Sequence, residues 1–461
     1  MTQCGNVYGN GSLYTAENFN GRYPDGWTLD DTIWDYGAPV GALSINENAV
    51  QVTWKAGKPG DDATYTIDPA PPFSLSASVK TNQPGIPGDD DLHYEVFTSP
   101  EWPSPSLFAS GHMAPGQEID DGLAVLNPEN WAASLLRDEL HTLKIETGTD
   151  ERSPSFNLNN LARSADKAPI AVHASQPLSV LLKHFLKVSD NLYGEMLLRD
   201  AALDVKDAQN LPNPIPVAED KKHESPVIAS TGLAAVAHRA MLQWLIANNV
   251  PTGGLRFSDG SGLSRYNLVT PISIARLLGV AETLRGGDDF YQALPIAGVD
   301  GTLKSRMFNT VAAGNVHAKT GTFSIVNCMS GYVTTKDGHR LAVSVLTNFV
   351  PDGELARNFE GRVFATLAGA TLTPGAPSVT PSAHGPVPGK WTPAIGLYKY
   401  PPAKGTWFKP GLVTEKPTVR PLPYTSPTPV LTPTPSATPS PTPQPTLPPA
   451  AAQPAGSLPA K

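Results

Sequence analysis

Two short polar motifs in this sequence contain the residue types needed to transfer an acyl group to a serine. SDN occupies positions 189–191, and KTGT follows at 319–322. An enzyme that opens a peptide bond with a serine needs a proton shuttle, an oxyanion hole and a cation for the substrate carboxylate. Each motif alone is weak evidence, but the two together, in this order, indicate a single site.

The candidate catalytic residues are Ser189, Asn191 and Lys319. From a tight loop, the Ser189 hydroxyl can relay a proton and the Asn191 amide can orient a substrate backbone. Lys319 brings a positive charge to the same site. Taken singly, each motif also has a purely structural interpretation, since SDN before a helix commonly caps it and KTG on a strand is commonly a solvated edge.

The candidate substrate-binding residues are Thr320, Gly321 and Thr322. Gly321 leaves the strand without a side chain, so a peptide can lie against it as an added strand. The backbone N–H of Thr322 is the candidate oxyanion donor. The hydroxyls of Thr320 and Thr322 are placed to bind a terminal carboxylate.

Helices and strands must hold these motifs in place. Segments 175–187 and 191–203 predict two amphipathic helices with SDN in the break between them. Segment 233–249 predicts a long helix that Pro251 stops, and Thr270 with Pro271 predicts the start of another. Segment 316–350 predicts three strands, the last two joined by a turn at 336–338.

The earlier half of the chain has a different pattern. Residues 40–80 alternate apolar with polar residues between turn signals and predict short strands. Residues 127–143 predict one helix, with Pro128 in its first turn. Its predicted apolar face consists of Trp131, Leu135, Leu136, Leu140 and Leu143. Strands and helices in separate runs indicate an α+β fold.

Three further segments strengthen the interpretation of the motifs: YGAPVGALSINENAVQV (36–52), FSDGSGLSRYNLVTP (257–271) and LPIAGVDGTLKSRM (294–307). With SDN and KTG, they resemble the D-alanyl-D-alanine carboxypeptidase/endopeptidase family that includes penicillin-binding protein 4. The resemblance implies a bacterial exported enzyme that trims peptidoglycan stem peptides through an acyl-serine and that β-lactams inhibit. It also implies that the DGSGLS loop borders the active site, although Asp259 and Ser261 could be turn-forming residues only.

The same resemblance divides residues 1–370 into three parts, and composition separates the tail as a fourth. Residues 1–35 are a remnant of the N-terminal part of a penicillin-binding/β-lactamase-like transpeptidase domain. Residues 36–165 are an inserted β-rich region with one helix, and residues 166–370 carry SDN and KTG. Residues 371–461 form a tail that contains 24 of the 48 prolines.

The tail also differs from the body in charge. Residues 371–461 contain seven Lys and Arg and one Glu, so their net charge is +6. Because the whole chain has a net charge of −8, residues 1–370 have a net charge of −14. We expect a disordered, solvated linker, or a contact with the anionic cell envelope. The acidic body argues against nucleic acid as a partner.

The first motif of the family, SxxK, supplies the nucleophile and its lysine, and it should precede the inserted region. The one literal match runs from Ser164 to Lys167, and Pro169 prevents it from opening a long helix. Residues 1–19 also contain no export signal. We therefore expect an N-terminally truncated enzyme.

The alternatives to such an enzyme are a non-catalytic peptidoglycan-binding relative and a β-lactamase. The inserted region argues against the β-lactamase, because a small lactamase has no room for it.

Several other classes of site have no support in the sequence. The ten histidines have no spacing suited to zinc, no Gly-rich phosphate loop is present, and no apolar run approaches the roughly 18 residues of a transmembrane helix. We therefore predict no metal, no cofactor and no transmembrane segment. Cys328 lies in an apolar strand and is predicted to be a small buried residue.

Overall fold

The computed structural model of the chain describes residues 3–14, 22–89, 91–97, 106–148, 170–205 and 227–372. The SxxK match at 164–167 and the proline-rich tail from residue 373 onward lie outside the described residues. The described part combines helices with separate small sheets, so the predicted α+β class is confirmed.

The first half of the chain is rich in strands: β1 (Ala49–Lys55), β2 (Thr64–Asp68), β3 (Ser74–Thr81), β4 (His93–Phe97), β5 (Ser106–Met113) and β6 (Glu118–Ala124). One antiparallel sheet has the order β2-β1-β6. A second has the order β3-β5-β4, in which β3 is parallel to β5 and β4 antiparallel to it. Their apolar side chains share one core, in which Trp54, Met113 and Leu123 are fully buried.

Helix α1 (Pro128–Thr142) packs against this core. The helix and its N-terminal proline agree with the prediction, but the predicted apolar face is only partly right. Trp131 is buried, whereas Leu136 and Leu143 are 52% and 62% exposed. Leu136 lies about 140° around the helix from Trp131 at about 100° per residue, so both cannot face one core.

The second half contains the other helices: α2 (Leu178–His184), α3 (Asn191–Leu203), α4 (Gly232–Ala247), α5 (Pro271–Ala281), α6 (Gly287–Ala293) and α7 (Gly353–Gly369). Helix α5 begins as predicted, since the Thr270 side chain accepts a hydrogen bond from the Ser273 backbone at 3.2 Å and Pro271 is the first helical residue. Helix α4 ends shortly before Pro251, also as predicted.

Strands β7 (Val227–Ile228) and β8 (Arg256–Phe257) form a short parallel pair, and β9 (His317–Phe323), β10 (Val326–Thr334) and β11 (Arg340–Asn348) form an antiparallel sheet. The order β11-β10-β9 leaves β9 at the edge. On one face, Met329 packs with Phe364 of α7. On the other, the Tyr332 hydroxyl donates to the Leu278 carbonyl of α5 at 2.7 Å. Two layers of helix thus fix the sheet that carries KTG.

Candidate active site

SDN lies where α2 and α3 meet. A single π-helical turn, Phe185–Ser189, continues α2 and ends with Ser189 in the left-handed region at φ 67°. That conformation is uncommon for a residue with a side chain. Asp190 then caps α3 by accepting a hydrogen bond from the Tyr193 backbone at 3.0 Å. The capping interpretation therefore applies to Asp190 and leaves the Ser189 hydroxyl available for other contacts.

The Ser189 hydroxyl contacts the second motif. Lys319 on β9 donates from Nζ to Ser189 Oγ at 2.6 Å and to the Thr320 carbonyl oxygen at 2.6 Å. Burial lowers the pKa of Lys319 from 10.5 to about 8. At pH 7, about a tenth of such lysines are neutral, so the amine can exchange a proton with the hydroxyl.

Asn191 is the first residue of α3 and follows Ser189 by two positions. Its Nδ2 donates to the carbonyl oxygen of Tyr36 at 2.9 Å. Tyr36 belongs to a short 3-10 turn, Asp35–Gly37. One of the two amide hydrogens of Asn191 therefore binds the chain itself, and the second remains for another acceptor.

The outer edge of β9 is covered only at its start. There, the Ala318 backbone donates to the Pro295 carbonyl at 2.9 Å, and Ile296 bridges to His317. From Lys319 onward, no strand among the described residues pairs with this edge. Gly321 and Thr322 are exposed there. Such an edge can accept an extended peptide as an added strand.

Positions 320 and 321 of KTGT differ in their surroundings. The Thr320 hydroxyl lies 2.8 Å from the Thr302 hydroxyl. Gly321 is opposite Cys328 on β10, and a Cβ at position 321 would lie 3.9 Å from the Cys328 Cβ. The prediction that Cys328 is buried is wrong, because it is only partly buried. Its partner across the strands has no side chain to cover it.

A buried lysine that the sequence analysis missed lies two residues before Ser189. Lys187 Nζ donates to the Leu294 carbonyl at 2.6 Å and to Asp300 Oδ1 at 2.7 Å. The Ile296 backbone donates to the same Asp300 oxygen at 2.9 Å. Because residues 295–296 also pair with β9, this contact links the loop of SDN to the strand of KTG. The only sequence signal was the place of Asp300 within LPIAGVDGTLKSRM.

The DGSGLS loop is anchored by two carboxylates. Asp259 accepts hydrogen bonds from Trp27 Nε1 (2.9 Å), Gly262 N (2.9 Å), Ser264 N (2.5 Å) and Asn267 Nδ2 (2.6 Å). The fully buried Glu195 of α3 accepts from the backbones of Gly260 and Ser261 at 2.9 and 2.8 Å. Asp259 is therefore more than a turn former, since it organises the loop.

Arg265 places the end of this loop beside the end of β9. Its guanidinium carbon lies 5.5 Å from the centroid of the Phe323 ring, and its NH1 pairs with Asp31 at 2.7 Å. The loop is thus held between α3, the segment around Asp31 and the last residue of β9. The loop therefore lies next to the end of β9 that follows Gly321.

Comparison with known proteins decides the family. Residues 1–214 and 217–366 match the model of the D-Ala-D-Ala carboxypeptidase 3 (S13) family. The chain belongs to this family. Both SDN and KTG lie inside the matched residues of the S13 model, and the resemblance found in the sequence is confirmed.

Curated relatives are similar to this chain over much of its length. A D-alanyl-D-alanine carboxypeptidase of Actinomadura sp. (strain R39) is 28% identical over 75% of this chain and 60% of its own length. The D-alanyl-D-alanine carboxypeptidase DacB of Haemophilus influenzae is 26% identical over 72% of this chain and 63% of its own length. The chain therefore spans about three fifths of the length of these two relatives.

Solved structures support the fold assigned to this S13 protein. Penicillin-binding protein 4 (dacB) from Haemophilus influenzae superposes with a TM-score of 0.57 at 22% identity, covering 79% of this chain and 75% of that one. At this identity, the likeness concerns the fold alone. Within the described residues, no helix has both the length and the apolar character needed to cross a membrane.

Proposed function

We propose that this S13 protein is a serine-type D-Ala-D-Ala carboxypeptidase/endopeptidase that cuts peptidoglycan stem peptides through an acyl-serine. The observation that supports this most strongly is the 2.6 Å contact between Lys319 Nζ and Ser189 Oγ. In the reaction, the serine of the family's SxxK motif, to which we assign no residue of this chain, forms an ester as the scissile amide bond breaks. The proton lost by that serine passes through the Ser189 hydroxyl to the leaving nitrogen of D-alanine, and Lys319 stabilises the relay electrostatically.

The substrate peptide lies along the uncovered edge of β9, where Gly321 leaves room for its backbone. The hydroxyls of Thr320 and Thr322, with the charge of Lys319, bind the terminal carboxylate. The Thr322 backbone N–H points at the developing oxyanion. The second amide hydrogen of Asn191 orients the substrate backbone, while the first stays on the Tyr36 carbonyl.

The same proposal assigns the protein's location and partners. It acts outside the cytoplasm, on peptidoglycan, with β-lactams as inhibitors and without a cofactor. Residues 36–165 are the inserted region, and residues 166–370 are the transpeptidase-like domain. The names of the two curated relatives support the reaction class.

Peptide binding tests the proposed site directly. A peptide ending in D-Ala-D-Ala should bind the protein, and its counterpart ending in L-Ala-L-Ala should not. Lys319→Ala should weaken binding at least tenfold, because the carboxylate loses its cation. Lys304→Ala, at an exposed position, is the matched control and should bind normally. Absence of specific binding, or equal binding by Lys319→Ala, would overturn the proposed site.

A fluorescent penicillin tests the acyl step separately. A label that survives denaturation supports acyl transfer, and peptide mapping of the labelled protein identifies the acylated serine. Label on these 461 residues would show that the chain supplies its own nucleophile, which the sequence analysis did not find. A protein that carries the family's SxxK motif and binds the peptide specifically, yet takes up no covalent label, would be a non-catalytic peptidoglycan-binding relative, and the enzymatic part of the proposal would be overturned.

A further inference from the structure

Three side chains that are far apart in the sequence converge beside Ser189. His184 Nε2 lies 3.2 Å from Glu47 Oε1 and 3.3 Å from Asp190 Oδ2, and the three ligand atoms all lie within 4.8 Å of one another. We propose that Glu47, His184 and Asp190 bind one divalent transition-metal ion of the Zn²⁺ type.

The separations fit such an ion. Zinc binds imidazole nitrogen and carboxylate oxygen at about 2.0–2.2 Å, so tetrahedrally arranged ligand atoms lie about 3.3–3.5 Å apart. The two separations measured from His184 Nε2 are close to this value. Three protein ligands leave the fourth position to water, as in zinc sites that keep an open position.

The charges also favour a cation. One imidazole nitrogen carries at most one hydrogen, so it can donate a full-strength hydrogen bond to only one of the two carboxylates. A divalent ion on the free electron pair of Nε2 satisfies both carboxylates, with the imidazole proton on Nδ1.

Each ligand is held by a different element. Glu47 is in the turn before β1, His184 is the last residue of α2, and Asp190 caps α3. The His184 ring packs on the Tyr193 ring with centroids 4.7 Å apart, and the Asp190 side chain is only 8% exposed. A bound ion would therefore tie the strand-rich half of the chain to the loop that presents Ser189. The histidine spacing gave no hint of this site, because each ligand comes from a separate segment.

Direct metal binding tests this inference without using enzymatic activity. The protein is freed of metal with a chelator and titrated with Zn²⁺ by calorimetry, and bound metal is counted by elemental analysis. We expect one tightly bound ion per chain. Co²⁺ at the same site should show the visible absorption of a tetrahedral nitrogen–oxygen site, and Zn²⁺ should displace it.

Variants separate this site from adventitious binding. His184→Ala and Glu47→Gln should each weaken Zn²⁺ binding at least tenfold. Asp190→Asn keeps a side chain that can cap α3 but should also weaken binding. His173→Ala, at an exposed histidine outside the cluster, should bind as the wild type does. No uptake of Zn²⁺, or unchanged uptake by His184→Ala, would overturn the site. Failure of penicillin labelling would not bear on this result.

Discussion

The Lys319 amine and the Ser189 hydroxyl are 130 positions apart in the chain and 2.6 Å apart in space. Lys319 reaches the hydroxyl from an edge strand. Ser189 is the last residue of a π turn and has a left-handed backbone conformation. The Lys187–Asp300 ion pair at 2.7 Å holds the two supports together. The contact is thus produced by packing between elements.

The depressed pKa of Lys319 should be visible in stability. Because its folded pKa of about 8 is below the ordinary 10.5, the unfolded chain holds more protons between these pH values, and stability should rise with pH there. The full gain should be about 3 kcal/mol. Urea unfolding at pH 7.5 to 10.5 should show this rise relative to Lys319→Met, which removes the titrating amine. Parallel curves for the two proteins would show that Lys319 titrates normally.

Gly321 should matter for ligand binding and little for folding. A Cβ at position 321 meets only the Cys328 Cβ, at an ordinary contact distance of 3.9 Å. Gly321→Ala should therefore change the free energy of unfolding by no more than about 0.5 kcal/mol. Binding of a D-Ala-D-Ala peptide should fall about tenfold, equivalent to 1.4 kcal/mol, because the added methyl group occupies the strand edge.

Gly331 provides the contrasting variant for Gly321. A Cβ at position 331 would lie 2.1 Å from the His317 carbonyl oxygen, so Gly331→Ala should destabilise the sheet itself. Urea unfolding and peptide calorimetry on both variants separate the two effects. If Gly321→Ala destabilised the protein as much as Gly331→Ala, Gly321 would have a structural role in place of the proposed binding role.

His238 should make the protein sensitive to acid. Burial lowers the pKa of His238 from 6.5 to about 4, with Nδ1 2.7 Å from the Ser230 hydroxyl and Nε2 3.1 Å from the Asp259 carbonyl. Because the unfolded chain binds the proton first, this contribution is complete above pH 6.5 and is lost as the pH falls to 4. The loss should be about 3 kcal/mol.

Unfolding of His238→Gln in urea should show a shallower loss of stability over that range, since glutamine does not titrate. His173→Ala, at an exposed histidine, should keep the wild-type slope. An unchanged slope in His238→Gln would mean that other groups cause the acid sensitivity.

The Lys187–Asp300 pair should show energetic coupling. Asp300→Ala leaves the mostly buried Lys187 amine without its counter-charge, which should cost about 2 kcal/mol of stability. The cost is limited because Asp300 is 39% exposed and water can replace it. Lys187→Met combined with Asp300→Ala should cost less than the two single changes added together. Additive costs in a double-mutant cycle would exclude coupling between these side chains.

Local patterns in the sequence predicted many of the elements. The cap and proline at Thr270 and Pro271, the turn at 336–338 and the break at SDN all agree with the structure, because short-range sterics and capping control them. The same reasoning failed for Leu136 and Cys328. Their burial depends on which neighbours cover them, and an exposed leucine and a buried one look alike in a sequence.

The sequence by itself determined which chemical groups are available: the hydroxyl of Ser189, the amide of Asn191, the amine of Lys319 and a strand with glycine at 321. Only the tertiary structure decided that Lys319 contacts Ser189, that Lys187 binds Asp300 and that Glu47 and Asp190 meet at His184. The reason is physical. Helical and strand periods describe neighbours along the chain, whereas distances between remote residues are set by how the elements pack.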